Sequence, residues 1–106
     1  MKILILIIWL HWFADFVLQT DKMARGKSKS NKWLSIHIAV YMLPLFILGW
    51  KFALINGATH WVVDWVTSRI TSRLWEKQQV HNFFVVIGLD QAIHMTILFL
   101  SWEYLK

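Results

Sequence analysis

Three times in this chain a histidine and an aspartate stand four residues apart: His11 and Asp15, His60 and Asp64, and, in reversed order, Asp90 and His94. On a helix that spacing puts both side chains on one face, a turn apart. Imidazole and carboxylate suit Zn²⁺, Mn²⁺ or Fe²⁺, and an i, i+4 pair is a recurrent ligand spacing. Cysteine is absent, which excludes thiolate chemistry, thiolate metal sites and a disulfide framework. A divalent metal held by some of His11, Asp15, His37, His60, Asp64, Asp90 and His94 is the leading expectation. The donors suffice for one ion with a supporting shell, or two ions about 3.5–4 Å apart. Among Asp15, Asp64 and Asp90, a carboxylate not used as a ligand is the candidate general base.

The elements that position these residues are apolar. Of 106 residues 58% are hydrophobic and 16% charged, and mean hydropathy is +0.48. A soluble domain carries charge at about one residue in four, and one core of this length cannot hide so much apolar surface. The expected fold is an all-α integral membrane four-helix bundle, one membrane domain over 1–106. Its helices are expected at about 3–20, 33–50, 51–74 and 82–104, with Gly49, Asn56 and Gly57 competing to break the second from the third. Pro44 should kink or end the second helix. Met1–Leu10 mimics a signal peptide but lacks a small-x-small cleavage site, and reads as a retained first helix.

Charge falls between the apolar runs. Segment 21–32 holds Lys22, Arg25, Lys27, Lys29 and Lys32 against Asp21, and segment 69–81 holds Arg69, Arg73 and Lys77 against Glu76. The other side has only Lys2, Lys51 and Lys106. Both basic loops are therefore expected in the cytoplasm and both termini outside, in a multi-pass protein of the cell inner (cytoplasmic) membrane. Trp33, Trp50, Trp75 and Trp102 fall near predicted ends, where amphipathic rings settle. No aromatics interleave with the lysines, so nucleic acid is not an expected partner. The lipid bilayer is.

The motif His-Trp-x-x-Asp-aromatic-Val occurs at 11–17 and again at 60–66. It marks two helical hairpins related by a partial internal repeat. Reversal of the motif in the last helix is informative, because that helix runs the other way. Antiparallel crossing puts Asp15, Asp64 and Asp90 in one layer near the cytoplasmic side and His11, His60 and His94 a turn deeper, with His37 near the carboxylates. Gln19 extends the polar face, Gln91 points about 100° aside toward a helix–helix hydrogen bond, and Trp12, Trp61 and Trp65 would wall the site. His81 is expected in a solvated loop and Asp21 at a loop or cap. A central Asp costs a membrane helix about 2.5–3.5 kcal/mol on the insertion scale, so three of them must face the interior and pair.

The blocks HWFADFVLQTDKMARGKSKS, HWVVDWVTSRI and DQAIH resemble a family of small bacterial and phage membrane proteins, domain of unknown function 3307. The resemblance covers nearly the whole chain. It carries over His11, Asp15, Gln19, Asp21, His37, His60, Asp64, Asp90, Gln91 and His94, and implies a membrane location without an activity. A looser analogy links the chain to inner-membrane metal-dependent hydrolases. Three functional readings stay open at this point. One is a metal-dependent hydrolase acting on a lipid headgroup, a lipid-linked or a phosphorylated substrate from the cytoplasmic leaflet. Another is a metal or proton conduit, a homo-oligomer because four short helices enclose little volume. The third is a structural or interaction protein, such as a small phage-encoded factor, with a His/Asp hydrogen-bonded core.

Overall fold

The computed structural model describes residues 1–105; Lys106, counted above on the outer side, lies outside them. Among the described residues there are five α-helices and no strand: α1 (Lys2–Trp12), α2 (Asp21–Gly26), α3 (Asn31–Leu45), α4 (Trp50–Glu76) and α5 (Val80–Leu105). A π-helical turn, Phe13–Val17, prolongs α1, and a 3-10 turn, Phe46–Leu48, ends α3. The long helices α4 and α5 pack along each other, α3 packs on α4, and α1 lies across α3 and α5.

Neighbouring helices run antiparallel. Between α4 and α5, Asn56 meets Ser101, Asp64 meets His94 and Thr67 meets Asp90, so numbers rise on one helix as they fall on the other. Between α1 and α3, His11 meets Tyr41 and Asp15 meets His37. The reversed motif of the last helix thus comes into register with the other two.

Boundaries depart from expectation at three places. α1 is regular only to Trp12; the next turn widens, and the Leu18 amide bonds back five residues to the Phe13 carbonyl at 3.0 Å. Segment 21–32, expected as a loop, contains α2, because Thr20 caps it by accepting from the Met23 amide at 3.2 Å and Asp21 supplies a negative charge to its first turn. Segment 69–81 is mostly helical. Arg69 lies over the Trp65 ring at 4.2 Å and donates to Asn31 at 3.1 Å, so its charge does not break α4. The helix stops at the left-handed Gln78 (φ 58), and exposed His81 belongs to the first turn of α5. Of the competing breaks only Gly49, with φ 129, is used; Asn56 and Gly57 lie inside α4. Pro44 stands in the last turn of α3, one residue before its end.

Two segments, Asn31–Leu48 and Val80–Leu105, are long and apolar enough to cross a membrane, where four were expected. α1 is too short alone, and α4 carries the polar side chains that build the interior. The distribution of polarity is inverted. Among the described residues eleven buried ones are polar or charged and ten are hydrophobic, whereas Trp9, Ile47, Val62, Phe84 and many other large apolar side chains face outward. An apolar cluster of Ile7, Leu45, Phe52, Ala53 and Leu98 closes the end opposite α2.

α2 is clamped to α3 where Gly26 meets Trp33. A Cβ on Gly26 would stand 2.6–2.8 Å from three atoms of that side chain. Gly26→Ala is expected to lift α2 and destabilise the protein by about 1–3 kcal/mol. Thermal unfolding in detergent would read this; an unchanged midpoint would contradict the clamp.

Candidate metal centre

Three helical segments deliver four side chains to a single point: Asp15 from the π turn, His37 from α3, and His60 with Asp64 from one face of α4. The π turn matters here because an i to i+5 turn re-aims the residues within it, and such turns recur at functional sites. His37 Nε2 lies 3.3 Å from His60 Nε2. It lies 3.0 Å from Asp15 Oδ1 and 3.4 Å from Asp64 Oδ2. His60 Nε2 lies 3.4 Å from Asp15 Oδ1 and 3.1 Å from Asp64 Oδ2. All four residues are buried.

These five distances match edges of a tetrahedron, and the sixth pair, Asp15 with Asp64, lies within 4.8 Å. Donors bonded at about 2.0–2.2 Å in tetrahedral geometry stand about 3.3–3.6 Å apart. The five separations above run from 3.0 to 3.4 Å, within a few tenths of that edge. The residues could hold a metal ion through two imidazole nitrogens and two carboxylate oxygens.

A second group, Asp15, Asp90 and His94, adjoins the first through Asp15. His94 Nε2 sits between Asp64 Oδ1 at 3.1 Å and Asp90 Oδ1 at 3.2 Å. The Thr67 hydroxyl donates to Asp90 Oδ1 at 2.6 Å. The His60 ring is sandwiched by Tyr41 and His94, with centroids 4.2 and 3.8 Å away, so its orientation is locked from both faces.

His11 stands beside the quartet and outside both groups. Gln91 explains why. Its amide nitrogen donates to Asp15 Oδ2 at 3.3 Å and Asp90 Oδ2 at 3.1 Å, so its oxygen must face His11 Nε2, 2.7 Å away. That nitrogen therefore carries the proton, and His11 Nδ1 accepts from the Tyr41 hydroxyl at 3.0 Å. Both ring nitrogens are engaged. The two copies of the sequence repeat thus differ in role: His60 faces the convergence point, and His11 orients the carboxylates around it through Gln91. Gln19 lines the adjoining cavity, and its Oε1 is buried without a partner. Trp12 and Trp65 point outward and wall nothing, while Trp61 bonds Ser35 at 3.2 Å. Their place is taken by Tyr41 and the imidazoles themselves.

Lys27, just past the end of α2, sends its ammonium to Asp64 Oδ2 at 3.3 Å. No other Lys or Arg makes an ion pair with the cluster among the described residues. On the α2 side a cavity of about 610 Å³ opens from Asp15 and Asp90 out to Arg25, Lys29, Trp75 and Phe84. It exists because α4 and α5 run on past the ends of α1 and α3; Asp64 lies about 18 Å before the end of α4 at 1.5 Å per residue.

Sequence reasoning missed Tyr41, Thr67, Ser68 and Lys27. Tyr41 follows His37 at i+4, and Thr67 and Ser68 follow Asp64 at i+3 and i+4, so the same-face rule would have found them. Nothing local distinguishes Lys27 from its basic neighbours; only the turn after α2 aims it inward.

The fold and site define a class: a small all-helical protein, apolar outside, with a buried His/Asp cluster able to hold a metal. The chain belongs to the family described as protein of unknown function (DUF3307), whose model matches residues 3–106. No curated protein and no solved structure matches the chain.

Proposed function

We propose that the chain crosses the cytoplasmic membrane as a four-helix bundle and holds one divalent ion on Asp15, His37, His60 and Asp64. We further propose that this centre hydrolyses a lipid-linked or phosphorylated substrate arriving from the cytoplasmic side. The spacing of four buried donors drawn from three segments, close to that of a tetrahedral ligand set, carries the reading. Charge supports it. Three buried carboxylates, Asp15, Asp64 and Asp90, meet one ammonium, Lys27. One dication brings that set to neutrality, which removes the large penalty on uncompensated buried charge.

The membrane half rests on the inverted polarity and on dimensions. The long axis is 43 Å, against about 40–45 Å for a bilayer with its headgroups. Arg25, Lys27, Lys29, Arg69 and Arg73 gather at the α2 end, which the positive-inside rule sets in the cytoplasm, with the termini outside. The cavity opens at that end and the apolar cluster closes the other, so access is one-sided. This favours chemistry at the centre over conduction through it.

A bound dication would polarise the scissile group and acidify a water. Asp90 lines the cavity outside the quartet, and Thr67 and Gln91 hold both its oxygens in place. It is the general base of this reading, taking a proton from the water that attacks phosphorus as the ester P–O bond breaks.

The test is phosphate release from a panel of phosphate mono- and diesters by the detergent-purified protein. Release should stop with chelator. Asp90→Asn should lower it about 10²–10⁴-fold while metal content stays unchanged. Cleavage indifferent to chelator, or no cleavage by a protein carrying its ion, would overturn the hydrolytic half.

A further inference from the structure

We infer that the cavity beside the quartet is a binding site for a single-chain amphiphile with a phosphate head. This deepens the substrate half of the proposal above, although it stands on the cavity walls and not on the ion. The walls are of two kinds. On the α2 side Arg25, Lys27 and Lys29 line the cavity; among the described residues neither Arg25 nor Lys29 has an acidic partner in an ion pair. Cations left without partners at a cavity rim attract an anion. Deeper in, the Ser68 hydroxyl is buried, lines the same space and has no hydrogen-bond partner. A buried hydroxyl without a partner is rare, and a headgroup oxygen would satisfy it.

The opposing wall is apolar. Phe16, Trp75, Phe83, Phe84 and Ile87 line it, and Trp75 and Phe84 are 56% and 60% exposed at its outer edge. Large aromatic side chains open to the outside give an alkyl chain lateral entry from the bilayer. The volume, about 610 Å³, falls within the range of about 300–1,000 Å³ for small-molecule pockets. It accommodates one chain and a head, and excludes a two-chain phospholipid held whole. Charge selects phosphate over carboxylate. Lys27 is committed to Asp64, and the two rim cations without acidic partners, Arg25 and Lys29, suit a head that carries up to two negative charges. Glu76 is the one carboxylate on the outer part of the lining.

The test is binding of dodecyl phosphate to the protein in neutral detergent, followed by native mass spectrometry, beside dodecanol, dodecanoate and inorganic phosphate. Each probe is run with and without chelator. Dodecyl phosphate should bind once per chain and about tenfold or more tighter than the other three. Arg25→Gln with Lys29→Gln should weaken it by roughly tenfold, on the order expected for two basic residues facing an anionic head. Both positions are exposed, so the fold should survive, and circular dichroism checks that it does. Ile87→Trp, which fills the cavity, should abolish binding with the rim intact. Equal binding of dodecanol would reduce the site to an apolar crevice and overturn the inference. Equal binding of inorganic phosphate would make it a site for a soluble anion, and equal binding of dodecanoate would remove the preference for phosphate; either overturns it. Rim dependence that vanishes with chelator would assign the head to the ion and overturn the rim, leaving the metal reading intact. Rim dependence in both conditions supports the inference whether or not the centre holds metal.

Discussion

Asp64→Ala should strip the centre of metal and destabilise the protein by about 3–5 kcal/mol, the range for breaking a buried charge pair by removing one partner. No other carboxylate of the cluster pairs with both imidazoles and an ammonium. Asp64 faces His37, His60 and His94 at 3.4, 3.1 and 3.1 Å and Lys27 at 3.3 Å. Its loss opens the tetrahedron and leaves the Lys27 ammonium without a counter-charge. Asp64→Asn separates the two effects. It keeps the volume and part of the hydrogen bonding, so stability should fall less, yet a neutral amide is a poor ligand and the metal should still be lost. Urea unfolding in mild detergent, with metal content measured on the same samples, reads both. An Asp64→Ala protein with unchanged midpoint and metal would be incompatible with the quartet.

Gln91→Leu should give the second largest effect, with the opposite signature. One amide satisfies three buried groups at once: the His11 Nε2–H, Asp15 Oδ2 and Asp90 Oδ2. Leucine would leave Asp90 Oδ2 unpaired and His11 Nε2–H with only the longer contact to Asp15 Oδ2 at 3.7 Å. Each unsatisfied buried group costs about 1–3 kcal/mol, and partial relaxation toward the cavity brings the expected sum to about 3 kcal/mol. The four donors of the quartet are untouched, so the folded fraction should keep its metal. Gln91→Glu should destabilise at least as much, because it sets a third carboxylate between two others. Loss of metal in a stable Gln91→Leu protein would mean that Gln91 acts on the ion rather than on the carboxylates.

Much of this site was legible in the sequence because its logic is helical. The i, i+4 spacing of His60 and Asp64, and of Asp90 and His94, fixes which face of α4 meets which face of α5. Reversal of the motif fixes the antiparallel register that Asn56–Ser101 and Thr67–Asp90 now display. His37 has no partner at i, i+4 in the motif, and only its closeness to the basic segment that ends at Lys32 sets its level. What could not be read depends on departures from the regular helix. At the π turn Phe13–Val17 the His11–Asp15 pair is looser, 3.7 Å against 3.1 Å for His60–Asp64, and His11 turns to Gln91 and Tyr41 while Asp15 joins the quartet. α2 was hidden because a run of lysines suggests a solvated loop; its signal, Thr20 as cap with Asp21 in the first turn, is short and was outweighed. Without α2 there is no way to foresee that Lys27 turns inward, or that a cavity forms between it and the long ends of α4 and α5. Polar side chains on α4 likewise conceal that helix from any test based on apolarity, although they are the residues the interior requires.

The central claim is that Asp15, His37, His60 and Asp64 hold an ion. Elemental analysis of the detergent-purified wild-type protein tests it most directly, with His60→Ala measured beside it. The account predicts about one equivalent of a divalent metal in the wild type, removed by chelator, and none in His60→Ala. A folded wild-type protein without stoichiometric metal, even after incubation with Zn²⁺, Mn²⁺ or Fe²⁺, would contradict it.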